Sequence, residues 1–328
     1  MKTNMKKIIS LSLALVMILT CLAGISFAAD PIAEVTNGSE TIKVETLEDL
    51  LAAIKEDGKT QIKLLADVVG TAQIKVPYSC TVDLNGHSWS TPTAGNAFAV
   101  QAVGSENTTT YIKNGVIDGK VLGVRVNDGA LNMDNVIVIS HGSAAVGYYT
   151  LDPKYNDANV IRNCTLVGTI YGAFSFLHQT EKQTGCKMFI ENTKLIETKD
   201  AGQFVFVAKN GDGTVVLGKG VEMYSYKPDG YAQKTNLEGE TVKAEFALAS
   251  VEVPEVNVKA AGLSYWHTPE YVAPVVPETP AAPTTPTTPS VPTTGTPDVT
   301  TPATGVSVVA LGVLAAISLA GAALTKKH

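Results

Sequence analysis

Arginine is almost missing from this chain of 328 residues: Arg125 and Arg162 are the only two. With a net charge of −6 and no basic stripe, a nucleic-acid partner is excluded. Aromatic residues make up 6% and tryptophan occurs twice. Cysteine is scarce too, four in all, of which Cys21 lies in an apolar leader. The remaining Cys80, Cys164 and Cys186 are an odd number, so they cannot all be bridged. No Cys or His spacing suggests zinc, and neither a metal nor a cofactor is expected. The length suits one large domain or two small ones.

What is present is a repeated phrase. Residues 111–117 (YIKNGVI), 132–138 (NMDNVIV), 160–166 (VIRNCTL) and 189–195 (FIENTKL) carry Asn114, Asn135, Asn163 and Asn192 at one position. Gly86 and Gly218 extend the series, with spacings of 28, 21, 28, 29 and 26 residues. Two positions before each anchor stand Leu84, Ile112, Met133, Ile161, Ile190 and Val216; three after stand Trp89, Ile117, Val138, Leu166, Leu195 and Val221. All are apolar, so each repeat reads as one coil of a parallel β-helix with these side chains stacked inside. Asn and Gly suit a corner because both enter the left-handed backbone region. A stacked asparagine column can pass amide hydrogen bonds from coil to coil, about 4.8 Å per step.

With its asparagine ladder, the chain resembles the pectate-lyase-like right-handed parallel β-helix superfamily over roughly residues 42–265. The opening phrase Val82 to Trp89 (VDLNGHSW) looks like the first coil of β-helix proteins on bacterial surfaces. The resemblance implies an all-β, single-stranded right-handed solenoid. Its members include lyases, hydrolases, adhesins and inert display proteins, so it leaves function open.

The ends carry other signals. Residues 1–28 read as a secretory signal peptide: Lys2, Lys6 and Lys7, an apolar run, then Ser26 to Ala28 as a cleavage site. A lipoprotein signal at Cys21 is the competing reading. Residues 29–41 form an N-terminal segment, and 42–270 the β-helix domain. Residues 271–300 form a Pro/Thr-rich stalk, with proline at every third position from Pro274 to Pro292. Extended, it reaches about 100 Å. Residues 301–328 hold an uncharged span at 306–324, long enough to cross a bilayer, and then Lys326, Lys327 and His328. Thr301 to Gly305 (TPATG) resembles the sorting signal of Gram-positive wall proteins, with Thr301 where that family has Leu or Asn. The resemblance implies recognition at Pro302 and a sortase cut between Thr304 and Gly305, joining the chain to peptidoglycan. A plain membrane anchor is the alternative. Either way the expected location is the outer surface of a Gram-positive cell.

Within the domain, Thr41 to Glu45 is expected as a first strand. Thr46 caps a short helix carrying Leu47, Leu50, Leu51 and Ile54 on one face, which covers the open end of the stack. A second strand follows each anchor phrase: 97–100, 124–126, 146–149, 174–176 and 204–206. Beyond Met223 the repeat fades into closing strands at 241–248 and 251–258, with Tyr265 and Trp266 packed over the far end. Cys80 and Cys186 share a phase four coils apart, roughly 19 Å, beyond disulfide reach. Cys164 is out of phase with Cys186. Free, mostly buried thiols are expected.

The residues before the anchors, Lys113, Asp134, Arg162 and Glu191, alternate in sign, which suits a structural charge ladder on an outer face. Superfamily lyases use Arg or Lys with calcium-binding carboxylates, and hydrolases use Asp sets with a His-Gly pair. His141-Gly142 stands here without those Asp motifs, so no catalytic residue is assigned. Tyr148, Tyr149, Tyr155 and Tyr171, with the loop residue His178, are the candidate ligand-binding set, since rings can stack on sugars. Core packing is the competing reading of the tyrosines. The function expected is a non-catalytic, monomeric adhesin or display protein that binds polysaccharide, wall polymer or host glycan. The alternative is a surface polysaccharide lyase or glycoside hydrolase.

Overall fold

The computed structural model describes residues 30–273, apart from residue 56 and the stretches 71–74, 77–79, 94–95, 102–108, 128, 151–152, 178–184, 199–203, 210–212, 228–229 and 254–257. The segments expected to be a signal peptide (1–28), most of the stalk (271–300) and the sorting signal with Pro302, Thr304 and Gly305 lie outside the described residues, and so does His178. Among the described residues no helix is long and apolar enough to cross a membrane.

The domain is all-β: among the described residues seventeen strands join in one hydrogen-bonded sheet and seven in another. In the larger sheet the anchor phrases lie side by side in parallel. The chain of register partners Ile62, Val82, Ile112, Met133, Ile161, Ile190 and Leu217 is buried throughout. Past the corner a second buried column runs Trp89, Ile117, Val138, Leu166, Leu195 and Met223. Alternation along each strand makes this possible: every second residue is apolar and faces one side.

The chain turns between the two columns at left-handed residues: Asn114, Asn135, Asn163 and Asn192 have φ of 60°, 56°, 53° and 43°. Asparagine tolerates this region better than other side-chain-bearing residues. At the two ends the phase differs from the repeat read in the sequence. The first corner takes two left-handed residues, Asn85 and Gly86, so Val82 rather than Leu84 is the register partner of Ile112, although Leu84 is also buried. The last corner is Gly220, with φ of 72°, and not Gly218. That moves the inward positions to Val215 and Leu217 and leaves Val216 only half-buried. A one-residue slip in a strand exchanges its two faces.

The smaller sheet stacks the second strands in parallel, Asn96–Gln101, Leu122–Asn127, Val146–Thr150, Phe174–Phe176 and Phe206–Ala208 among them. The last of these begins at Phe206 rather than at residue 204. Its inward rings pack together: Phe174 lies 5.1 Å from Phe176, 5.8 Å from Tyr148 and 6.5 Å from Phe206 between centroids. Such pairs contribute about 0.5–1.5 kcal/mol each beyond area burial.

The ends are closed by antiparallel structure. Ala33–Asn37 pairs between Glu40–Val44 and Gln61–Leu64, burying Ala33 and Val35, so β-structure begins ahead of the expected first strand. The helix Leu47–Ala52 follows. Thr46 Oγ1 accepts from the Asp49 N–H at 3.1 Å and donates to the Asp49 carboxylate at 2.6 Å, and Leu50 and Ile54 enter the core. At the other end Lys243–Val253 and Val258–His267 form one long hairpin laid antiparallel on Glu222–Ser225. Val251, Val253, Ala260 and Leu263 of this hairpin cover Ile139, Val167 and Ile196, a second small core on the outside of the larger sheet. Trp266 is buried against Tyr231 at 5.6 Å, whereas Tyr265 faces outward and only partly covered, contrary to the expectation that both cap the far end.

Candidate functional site

Alternation in the smaller sheet divides the candidate tyrosines. Tyr148 points inward and is buried; its hydroxyl donates to Asn159 Oδ1 at 2.9 Å, and burial pushes the phenol well up. Asn159 also accepts from the Leu131 N–H at 3.1 Å and donates to the Lys187 carbonyl at 3.1 Å. Tyr148 is therefore a strut between strands, not a binding residue. Tyr155 sits in the 3-10 turn Pro153–Ala158 and is likewise buried, with Lys154 Nζ 4.7 Å from its ring centroid. Neither ring offers a free face. Asn156 beside it is used locally, donating to the Gly185 carbonyl and accepting from the Lys187 N–H.

Tyr149 and Tyr171 are half-buried and lie on the solvent side. Arg125 places its guanidinium 4.1 Å from the Tyr149 ring centroid, held there by its Nε donating to Asn127 Oδ1 at 2.9 Å. Lys209 Nζ lies 5.6 Å from the Tyr171 ring centroid. Between the flanking strands Gly147 leaves room: a Cβ there would come within 3.0–3.4 Å of Leu177, Leu122 and the Tyr149 ring. Burial pushes the Tyr149 phenol up; the nearby Arg125 opposes this and Tyr171 adds to it. A cation over a ring at an exposed site contributes about 0.5–1 kcal/mol. The arrangement offers ring surface beside positive charge, which suits a hydroxyl-rich ligand carrying acidic groups.

The corner asparagines form a hydrogen-bonded column on the outside. Asn135 donates to Asn114 Oδ1 at 3.1 Å, Asn192 to Asn163 Oδ1 at 2.6 Å, and Asn114 to Asp83 Oδ1 at 3.1 Å. Asn163 donates to Asp134 Oδ1 at 2.7 Å instead of to Asn135. The adjoining charges Asp83, Lys113, Asp134, Arg162 and Glu191 are register neighbours and pair in couples, Lys113 with Asp83 at 3.3 Å and Arg162 with Glu191 at 3.6 Å. For Asp83 burial is the largest single influence and opposes ionisation, but Asn114, the Asn85 N–H and Lys113 together hold the carboxyl below its usual range.

His141 Nε2 and Asp118 Oδ1 lie 2.8 Å apart at an exposed position. Among the described residues no group of three His, Cys, Asp or Glu side chains is gathered as a metal site. Among the described residues Cys80, Cys164 and Cys186 are buried and take part in no disulfide, and burial pushes the Cys80 and Cys164 thiols up to about 12.

Sequence reasoning missed the partnership of Arg125 and Lys209 with the two tyrosines, because neither cation stands at a repeat position. It also missed the outward face of the closing hairpin, where Tyr224, Tyr265 and His267 meet, because the repeat that guides the reading ends at Met223. Comparison with protein-family models, curated proteins and solved structures gives no match to this chain.

Proposed function

We propose that this chain is a non-catalytic adhesin, or a glycan- or cell-wall-binding display protein, held on the outer surface of a Gram-positive cell. The observation that carries this reading is the pair of cation–ring stacks, Arg125 on Tyr149 and Lys209 on Tyr171, on the outward side of the smaller sheet. Rings give a sugar an apolar face to stack on, and the cations favour its acidic substituents.

The scaffold is a single right-handed parallel β-helix. Parallel register at steps of 20 to 32 residues supports this, as does the left-handed asparagine at successive corners. Export through residues 1–28, and attachment by a sortase acting at Pro302, Thr304 and Gly305 or by the 306–324 span, follow from the sequence signals. The protein acts as a monomer and its ligand is a polysaccharide or host glycan.

The test applies the full-length chain to a glycan array, then incubates it with acidic glycans with and without calcium. Retention without cutting is the expected result, reduced about tenfold or more when Tyr149→Ala and Tyr171→Ala are combined. Release of unsaturated or reducing ends would replace this reading with a surface polysaccharide lyase or glycoside hydrolase.

A further inference from the structure

The closing hairpin builds a second site on a different face. Three strands run side by side there, with Glu222, His267 and Lys243 as register neighbours in one row and Tyr224, Tyr265 and Glu245 in the next. Met223 and Trp266 point into the core between these rows, so all six side chains share the opposite face. The rings form a continuous platform: Tyr224 and Tyr265 are 5.0 Å apart, and Tyr265 and His267 are stacked at 5.3 Å with their planes 13° apart. The platform borders a cavity of 810 Å³ whose lining includes Asn192, Lys243 and the carboxylates of Glu222, Glu245 and Glu270.

The polar groups of this cavity are not balanced among themselves. Glu222 accepts from the Tyr224 hydroxyl at 2.6 Å and lies 3.8 Å from Lys194 Nζ. Glu245 and Glu270 face the cavity with Lys243 as the one lysine among the described residues lining it. His267 Nδ1 lies 3.0 Å from the Thr268 carbonyl, which can only accept, so Nδ1 carries a hydrogen. Nε2 has almost no solvent exposure and stands 3.3 Å from Glu245 Oε1, an ion pair when the ring is protonated. Against Lys243 and His267 the lining sets the carboxylates of Glu222, Glu245 and Glu270, so the cavity favours a cationic ligand group.

We propose that this cleft binds a glycan bearing free ammonium groups. A hexosamine ring lays its C–H face on the Tyr265–His267 platform, its ammonium sits at the carboxylates of Glu245 and Glu270, and Asn192 takes one of its hydroxyls. Cation–ring attraction and carboxylate hydrogen bonds act together there. The Tyr149–Tyr171 face, which suits acidic ligands, is separate from it, so each site can fail while the other stands.

The test titrates the full-length chain at pH 6 with a fully deacetylated glucosamine tetramer and with its N-acetylated counterpart. The deacetylated tetramer is expected to bind at least about tenfold more tightly, with loss of that preference at high salt. Glu245→Gln and Glu270→Gln keep the side-chain shape, and each is expected to weaken binding about tenfold while the circular dichroism is unchanged. Tyr265→Ala weakens both tetramers, and the combined Tyr149→Ala and Tyr171→Ala variant weakens neither. Equal affinity for the two tetramers, no binding of either, or undiminished binding by the folded Glu245→Gln and Glu270→Gln proteins would overturn the proposal.

Discussion

Asn163 donates its side-chain amide to Asp134 Oδ1 at 2.7 Å, although Asn135 stands at the equivalent corner one repeat earlier. The asparagine column is therefore two short runs, one from Asn135 through Asn114 to Asp83 and one from Asn192 to Asn163, with the second tied to the charge ladder through Asp134.

That arrangement makes Asn163 unequal to its substitutes. Asn163→Gly removes the hydrogen bonds but keeps the left-handed corner, at a cost of about 0.5–1.5 kcal/mol. Asn163→Ala adds left-handed strain of about 1–2 kcal/mol. Urea denaturation should rank wild type, glycine and alanine in that order, and equal stability of the two variants would contradict the corner role.

Tyr148 is a core strut, so its variants should affect folding alone. Tyr148→Phe strands part of the bonding capacity of Asn159 and costs about 1–3 kcal/mol. Thermal unfolding measures this, and retention on the glycan array should stay at the wild-type level once the variant is folded.

Burial of the thiols has an alkaline consequence. The Cys80 and Cys164 thiols titrate near 12 in the fold against about 8.5 in an unfolded chain, so their contribution to stability is intact below pH 8.5 and is lost as pH rises toward 12. Iodoacetamide at pH 8 should leave the native protein unmodified, and in the chain lacking residues 1–28 three thiols should react after denaturation without reductant. Fewer than three would indicate a bridge.

The acid limb has the opposite sign. The Ser88 backbone N–H and His87 hold the Asp67 carboxyl below its usual range, and Asp83 is likewise lowered. Both stabilise the fold above about pH 4 and lose that effect as pH falls below it. Melting temperature between pH 5 and pH 3 should drop less steeply in Asp83→Asn than in wild type.

Leu263 is fully buried between the hairpin and the outer stripe of Ile139, Val167 and Ile196. Leu263→Ala should cost about 2–5 kcal/mol. Hydrogen exchange should show the loss first in Lys243–Val253 and Val258–His267; uniform loosening of the whole domain would show that the hairpin is not a separate layer.

Much of this molecule was legible from periodicity. Eleven of the twelve apolar positions flanking the anchors are buried, and Val216 is the exception. The Thr46 cap and the second strands were readable for the same reason, since their signals lie within a few residues of each other. The candidate ligand residues were not, because a run such as Tyr148-Tyr149 offers both faces and composition does not say which ring goes inside.

By itself, then, the sequence determined that apolar side chains recur at one phase, that Asn or Gly stands at the turns, and that Thr46 starts a short helix. These are local rules of backbone geometry and alternation, and they act on neighbours in the chain. The tertiary structure alone decided that the last corner is Gly220, that Tyr148 is buried while Tyr149 meets Arg125, and that a returning hairpin sets Tyr265 and His267 beside Glu222 and Glu245. Register slips and antiparallel returns join residues far apart in the chain, and such pairings have no period to read.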